Sequence, residues 1–278
     1  MSASAVSFTV FTKPWKMPLA ELGAFVRGLG FDGIELPVRP GYQVEPQDVA
    51  RGLPAAARVL ADCGIAIASI AGPTDEPTVA ACAEAGVPVI RICVSVDAEK
   101  GYLAEEARLQ REYDALVPLL DKHGVTVGIQ NHCDLCVANA MGMRSLIGQY
   151  DPRHFGAVWD PAHCALDGER PELAIDIVWS HLCMVNLKNA VWVRKDADAP
   201  VAEWRHHWVA GREGLCHWPT VAALLEKRGY RGPVCLTAEY SDHEAVDRLI
   251  AEDIAFAKSL FRVSQMACHD SRPKISKE

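Results

Sequence analysis

Eight short runs rich in β-branched and other apolar residues recur along the chain, and the gaps between them carry helical patterns. The runs cover residues 6–11, 33–36, 65–70, 89–93, 125–130, 155–159, 182–188 and 234–238. Strands so apolar must be covered on both faces, which is the condition of a parallel sheet. Parallel neighbours in turn need a long crossover connection, usually a helix. The helices have readable ends. Pro18 opens one whose Leu19, Leu22, Val26 and Leu29 share a face, and Gly30 closes it. A second is expected from Pro54 to Gly64, and a later one from Pro219 to Gly229. A long helix is expected over 103–122, kinked or shortened by Pro118. A last one over 244–261 places Val246, Leu249, Ile250, Ala257, Leu260 and Phe261 on its apolar side. Eight strand–helix units in 278 residues give about 35 residues per unit, the repeat of a (β/α)8 barrel. A doubly wound open sheet is the runner-up, but it normally carries a Gly-rich phosphate loop, and no GxGxxG or GxxxxGK[ST] occurs. The expected fold is α/β, a single (β/α)8 TIM barrel over 1–262 followed by a polar tail over 263–278.

Charge and cysteine usage narrow the partners. The net charge is −8 and no cluster of Lys and Arg is present, which argues against a nucleic-acid surface. No apolar run approaches the roughly 18 residues of a membrane span, so no membrane partner is expected. The N-terminal MSASAVSFTVFTKPW lacks the basic region and apolar core of a secretory signal. Ten cysteines are scattered through apolar segments, as expected of core thiols in a reducing cytoplasm. Cys133 and Cys136 form a lone CxxC without a second pair at zinc spacing, a weak signal.

In a barrel of this type, chemistry sits at the C-terminal ends of the strands. Side chains alternate along a strand, so residues two apart share a face. In VTVGIQNH, Val125, Val127 and Ile129 suit the helix layer, while Thr126, Gly128, Gln130 and His132 face the barrel interior. By the same rule Asp160 caps the inward face of the sixth strand, and His163 follows in its loop. Asn186 and Lys188 point inward from the seventh strand, Thr237 and Glu239 from the eighth. Earlier strands add Lys13, Glu35, Arg39 and Arg91. Polar groups thus converge on one barrel end from four successive strands. His123, His154, His206 and His207 read as surface or loop residues, and Trp204, His207 and Trp208 as part of a segment covering the mouth.

At these residues the sequence resembles the xylose isomerase-like TIM-barrel superfamily of sugar and sugar-phosphate isomerases and epimerases. The resemblance rests on GFDGIEL (30–36), QNH (130–132), WDPAHC (159–164), NLKN (186–189) and AEY (238–240). It implies one divalent cation, Mn²⁺ or Mg²⁺ and in some cases Zn²⁺, held at four positions that here are Gln130, Asp160, Asn186 and Glu239. Asp160 and Glu239 match the family pattern. Gln130 stands where the family has Glu, Asn186 where it has His, and Asn189 where it has Asp. Amide oxygens are acceptable to a hard cation, but the set supplies two charges instead of three.

The resemblance also implies a mechanism: two metal-bound glutamates acting as opposed acid and base at the carbon next to a carbonyl. An amide cannot exchange a proton near neutral pH, so Gln130 cannot be one of them. Glu239 remains as base, with Lys188 or His132 as its partner. His163, Glu35 and Arg91 are the expected substrate-binding groups. The expected activity is that of a carbohydrate isomerase or epimerase working by proton abstraction next to a carbonyl, on a small-molecule sugar and in a homo-oligomer. The alternative is a carbon–oxygen lyase or a hydrolase acting on a keto-sugar or keto-glycoside, since elimination needs one good base rather than two. A DNA-repair nuclease of the same superfamily would need more metal ligands and a basic groove.

Overall fold

The computed structural model describes residues 6–267, with side chains described through residue 261. All eight expected barrel strands are present: β1 (Ser7–Phe11), β2 (Gly33–Pro37), β3 (Ala66–Ala71), β4 (Val89–Cys93), β5 (Thr126–Gln130), β6 (Phe155–Trp159), β7 (Leu182–Leu187) and, last in the chain, β10 (Pro233–Leu236). They close in the order β1-β10-β7-β6-β5-β4-β3-β2, every pair parallel. The fold is therefore a single (β/α)8 TIM barrel, as expected.

Alternation sorts the strand residues into two cores. Outward-facing Val10, Ile34, Ile90, Val127, Ile129, Val185 and Leu236 pack against the helices in one large cluster. Inward-facing Phe11, Ala71, Val158, Met184 and Cys235 fill the barrel floor. The floor is narrow at Gly128 and Gly156. A Cβ on Gly128 would lie 2.6 Å from Val158 Cγ2, and one on Gly156 2.6 Å from Cys183 Sγ. These two glycines let the larger side chains of neighbouring strands meet inside the ring.

The helices are α1 (Leu19–Leu29), α2 (Val49–Asp62), α3 (Glu76–Ala85), α4 (Tyr102–His123), α5 (Ala140–Ile147), α6 (Pro161–Leu166), α7 (Pro171–Val178), α8 (Trp218–Lys227) and α9 (Val246–Ala267). Gly30 and Gly124 end α1 and α4 in the left-handed conformation that a side chain would oppose. Two expectations about proline need correction. Pro54 does not open α2 but lies inside it, because a 3-10 turn at Pro46–Asp48 has already started the coil. Pro118 does not shorten α4, which runs on to His123; buried Leu109, Tyr113 and Leu120 anchor it on both sides of the missing hydrogen bond. The polar tail expected over 263–278 falls mostly outside the described residues, and α9 extends to Ala267.

The segment after β7 holds an element that the strand count missed. Strands β8 (Asn189–Arg194) and β9 (Trp204–Val209) form an antiparallel hairpin separate from the barrel, pairing Ala190 with Trp208 and Trp192 with His206. The seventh strand therefore stops at Leu187, and Lys188 sits at the turn from barrel wall to hairpin. Among the described residues, no helix is long and apolar enough to cross a membrane.

Candidate active site

The interior of the barrel mouth is layered. Deepest lies a pair formed by Glu35 of β2 and Arg91 of β4. Arg91 Nη2 donates to Glu35 Oε2 at 2.6 Å and Nε to Oε1 at 3.0 Å, a bidentate contact, and Ser69 Oγ donates to Oε1 at 3.1 Å. The guanidinium also lies over the Phe11 ring, 4.6 Å from its centroid. Both side chains are buried, and each satisfies the other. Two of the three expected substrate-binding groups are thus brought together as an internal ion pair. Arg39 lies over the same ring at 5.6 Å.

Above this pair is a cluster built around Lys188. Its Nζ donates to Glu239 Oε2 at 2.6 Å, lies 3.6 Å from Asp160 Oδ2, and sits under the face of Trp208 from β9, 4.4 Å from the ring centroid. Lys13, beyond β1, reaches the other Glu239 oxygen at 3.3 Å. Strand alternation does not by itself deliver Glu239. β10 stops at Leu236, and Ala238 adopts φ +51, a conformation rare outside glycine, which aims the next residue at Lys188. Backbone strain of this kind collects at functional sites.

Asp160 is fixed by the local logic of WDPAHC. It is the N-cap of α6, with Pro161 in the first turn, and its Oδ1 accepts from the backbone N–H of Ala162 (3.1 Å) and His163 (3.3 Å). Its own N–H donates to Asn131 Oδ1 at 2.8 Å, while Asn131 Nδ2 donates back to its carbonyl at 2.9 Å. Oδ2 accepts from Gln130 Nε2 at 2.9 Å.

His163 is buried, and its Nδ1 accepts from the Cys133 N–H at 3.0 Å. That bond places the ring proton on Nε2, which lies 3.7 Å from Asp160 Oδ2 and makes no hydrogen bond. His132, half-buried, stacks on it with centroids 4.1 Å apart. Asn186 is fully buried with neither amide atom paired, and Thr237 Oγ1 is likewise unpaired. Buried polar atoms are nearly always hydrogen-bonded in a working protein. A donor, an amide and a hydroxyl left free near one mouth suit the oxygens of a polyhydroxy compound.

The charges shape one another. Burial pushes the Glu239 carboxyl up, but the Lys188 charge and hydrogen bond, with Lys13 and Arg91 beyond, outweigh it and bring it down to about 2. Burial lowers the Lys188 ammonium, yet Glu239 and Asp160 hold it above its ordinary value. Asp160 is raised, because burial exceeds the help of Lys188. Burial, then Lys188 and the neighbouring histidines, keeps His163 well below its ordinary range, so it is neutral at pH 7. The Glu239 value has a consequence for stability. A carboxyl whose folded pKa lies below the free value of 4.5 stabilises the fold above that pH and loses the contribution as pH falls toward 2. In urea titrations, acidification through that window is expected to cost about 2–3 kcal/mol in the wild type and clearly less in Glu239→Gln. Equal losses in both proteins would contradict the assignment.

Other expectations are revised by the geometry. Asn189, aligned with a family acid, is a clamp at the foot of the hairpin: Nδ2 donates to the carbonyls of Gly211 (2.9 Å) and Cys216 (2.8 Å), and Oδ1 accepts from the Cys216 N–H (2.9 Å). His206 is not a bystander. It is half-buried, stacks on Trp208 at 4.7 Å, and approaches Cys133 Sγ at 3.9 Å. Strand alternation within 189–194 and 204–209 was the signal that could have placed it. Two groups of side chains at this rim are close enough to share a metal ion, His132/Cys133/His163 and Cys133/Asp134/His206. Burial and the adjacent Asp134 push the Cys133 thiol up to about 12. The nine described cysteines are all free thiols.

The donor set expected for a divalent cation does not fit one as arranged. Of the four groups, Asp160 and Glu239 both turn an oxygen to the Lys188 ammonium. Gln130 presents its amide N–H to Asp160, and its oxygen faces the Cys93 thiol at 3.4 Å. Asn186 alone is unengaged.

No protein of curated function matches this sequence significantly. Solved structures match its fold over almost its full length. A D-psicose 3-epimerase from Clostridium cellulolyticum H10 superposes with a TM-score of 0.69 at 13% identity, covering 92% of this chain and 99% of its own. An L-ribulose 3-epimerase gives 0.69 at 16% identity, covering 96% and 100%. A probable 3-DHS dehydratase from Bacillus anthracis gives 0.68 at 14%, covering 91% and 99%. At such identities the likeness is one of fold. The family model described as xylose isomerase-like TIM barrel matches the sequence itself over residues 24–260, the span that carries every strand of the barrel except the first. With the closed eight-stranded ring and the Asp-Pro-x-His helix start both in place, the chain belongs to the xylose isomerase-like TIM barrel family.

Proposed function

We propose that this chain is a carbohydrate isomerase or epimerase that moves a proton at the carbon next to a carbonyl. The observation that carries the reading is the Lys188–Glu239 pair at 2.6 Å, set among unpaired buried polar groups at the barrel mouth. It joins the two parts such chemistry needs, a carboxylate base and a cation for the oxygen that becomes negative. In the resting pair Glu239 is too acidic to be an efficient base. A substrate carbonyl that accepts a hydrogen bond from Lys188 shares its charge, and Glu239 then rises toward a useful range. The His163 Nε2–H, held neutral and unpaired, donates to a substrate hydroxyl, and Asn186 and Thr237 orient the remaining oxygens. His132, stacked against His163, is the candidate for returning the proton. Sugar epimerases among the structures of like fold support the substrate class.

One feature favours a second reading. Gln130 stands where a second carboxylate would complete a symmetric acid–base pair, and elimination from a keto-sugar needs only one base. A dehydratase also shares the fold. The test for both is incubation of the protein in D₂O with a panel of ketoses and keto-glycosides, read by mass spectrometry. Deuterium entering next to the carbonyl without loss of a group supports isomerisation or epimerisation. Release of water or an aglycone selects the lyase, and no exchange with any substrate removes both.

A further inference from the structure

Asp160 and Glu239 are carboxylates that converge at this barrel mouth, and both oxygens of each are already engaged. Asp160 Oδ1 accepts two backbone N–H groups, and its Oδ2 takes Gln130 Nε2 at 2.9 Å with Lys188 Nζ at 3.6 Å. Glu239 Oε2 takes Lys188 at 2.6 Å and its Oε1 takes Lys13 at 3.3 Å. Two negative charges face two positive ones, so the cluster is balanced by the chain's own residues. Lys188 is buried, roofed by Trp208 at 4.4 Å, and its stem rises from the end of β7, so its head has little freedom to leave. A metal site presents acceptors toward an ion at its centre, whereas here the oxygens of Asp160 and Glu239 face an ammonium that already stands there. Gln130 belongs to the same pattern: an amide can donate to Asp160, which an ionised carboxylate at that position could not do.

We propose that the Lys188 ammonium is a resident cation, fixed between Asp160 and Glu239 in place of a divalent metal ion, and that it excludes such an ion from the barrel mouth. The inference concerns binding and stands whichever reaction the site performs. Its logic is electrostatic: a dication would share two carboxylates with an ammonium a few ångströms away in a poorly screened cavity. Removing that one charge should therefore create affinity rather than destroy it.

The experiment is titration of the wild-type chain and of Lys188→Met with Mn²⁺ and with Zn²⁺, read by calorimetry and by the shift in melting temperature. Lys188→Arg, which keeps the charge, runs in parallel, and Lys188→Gln stands in should the methionine variant not fold. Wild type and Lys188→Arg are expected to show no Mn²⁺ binding tighter than about 1 mM, and the charge-free variant to bind at least about 100-fold more tightly. Asp160→Asn added to that variant should abolish the gain. Zn²⁺ bound at the thiol–imidazole rim is separated from the central site by a Cys133→Ser control. Stoichiometric Mn²⁺ in the wild type that Asp160→Asn removes would overturn the proposal. So would a folded, charge-free variant that still binds no ion.

Discussion

Arg91→Met is expected to lose about 3–5 kcal/mol of folding stability, the cost of leaving a fully buried carboxylate without its ion partner. Among the described residues, the remaining hydrogen bond to the Glu35 carboxylate is from the Ser69 hydroxyl. The loss has a specific signature. Adding Glu35→Leu to Arg91→Met should recover much of the stability, because the pair is costly to break yet not intrinsically superior to apolar packing. Urea denaturation of the two single variants and the double variant closes the cycle. A single-variant loss below 1 kcal/mol, or a double variant no better than Arg91→Met, would show that the pair is hydrated or dispensable. An intact pair would instead define a rigid floor beneath the Lys188 cluster, and this is the role we assign to these two residues.

Glu239→Gln should still fold, with a lower melting temperature at neutral pH because the charge pair is gone, and lose roughly 10²–10⁴-fold in proton exchange at the carbon next to the carbonyl, the usual contribution of a positioned base. The amide keeps the shape and can still accept from Lys188, so packing is preserved while basicity is removed. Circular dichroism and melting temperature check the fold, and exchange from D₂O into whichever substrate the wild type labels gives the rate. Lys13→Ala, which removes only the outer contact on Glu239 Oε1, is expected to cost less than tenfold. Exchange surviving at more than a tenth of the wild-type rate in Glu239→Gln would move the base elsewhere, with His132 the next residue to replace.

Much of this molecule is written locally in its sequence. The strand set was legible because buried parallel strands are predominantly apolar, so residues such as 89–93 and 155–159 stand out without knowledge of their neighbours. Asp160 and His163 were legible for a related reason: an acid, a proline next to it and a histidine three positions after the acid at a helix start carry their geometry with them. What stayed hidden depends on contacts between distant segments. Glu35 and Arg91 are 56 positions apart, and nothing near either one says that they meet. Lys188 and Glu239 were placed on one cavity by alternation, but the left-handed turn at Ala238 that joins them has no glycine to advertise it. The β8–β9 hairpin was missed because its outer face is bathed in solvent, which leaves Trp192 and Trp204 exposed and blurs the contrast that marks a strand.

That hairpin separates two tasks that a barrel usually assigns to the same loops. Its strands pair with each other rather than with the ring, Asn189 clamps its base to the loop at Gly211 and Cys216, and Trp208 and Trp192 tie it to Ser241 and to the Leu166 carbonyl. The charged centre is set by the ring of parallel strands, while the ceiling height above Lys188 is set by Trp208 on an arm outside that ring. Lengthening, trimming or grafting the arm would change which molecules enter while leaving the reacting charges in register. The architecture therefore predisposes this barrel to acquire new substrates through its roof, without disturbing the chemistry beneath.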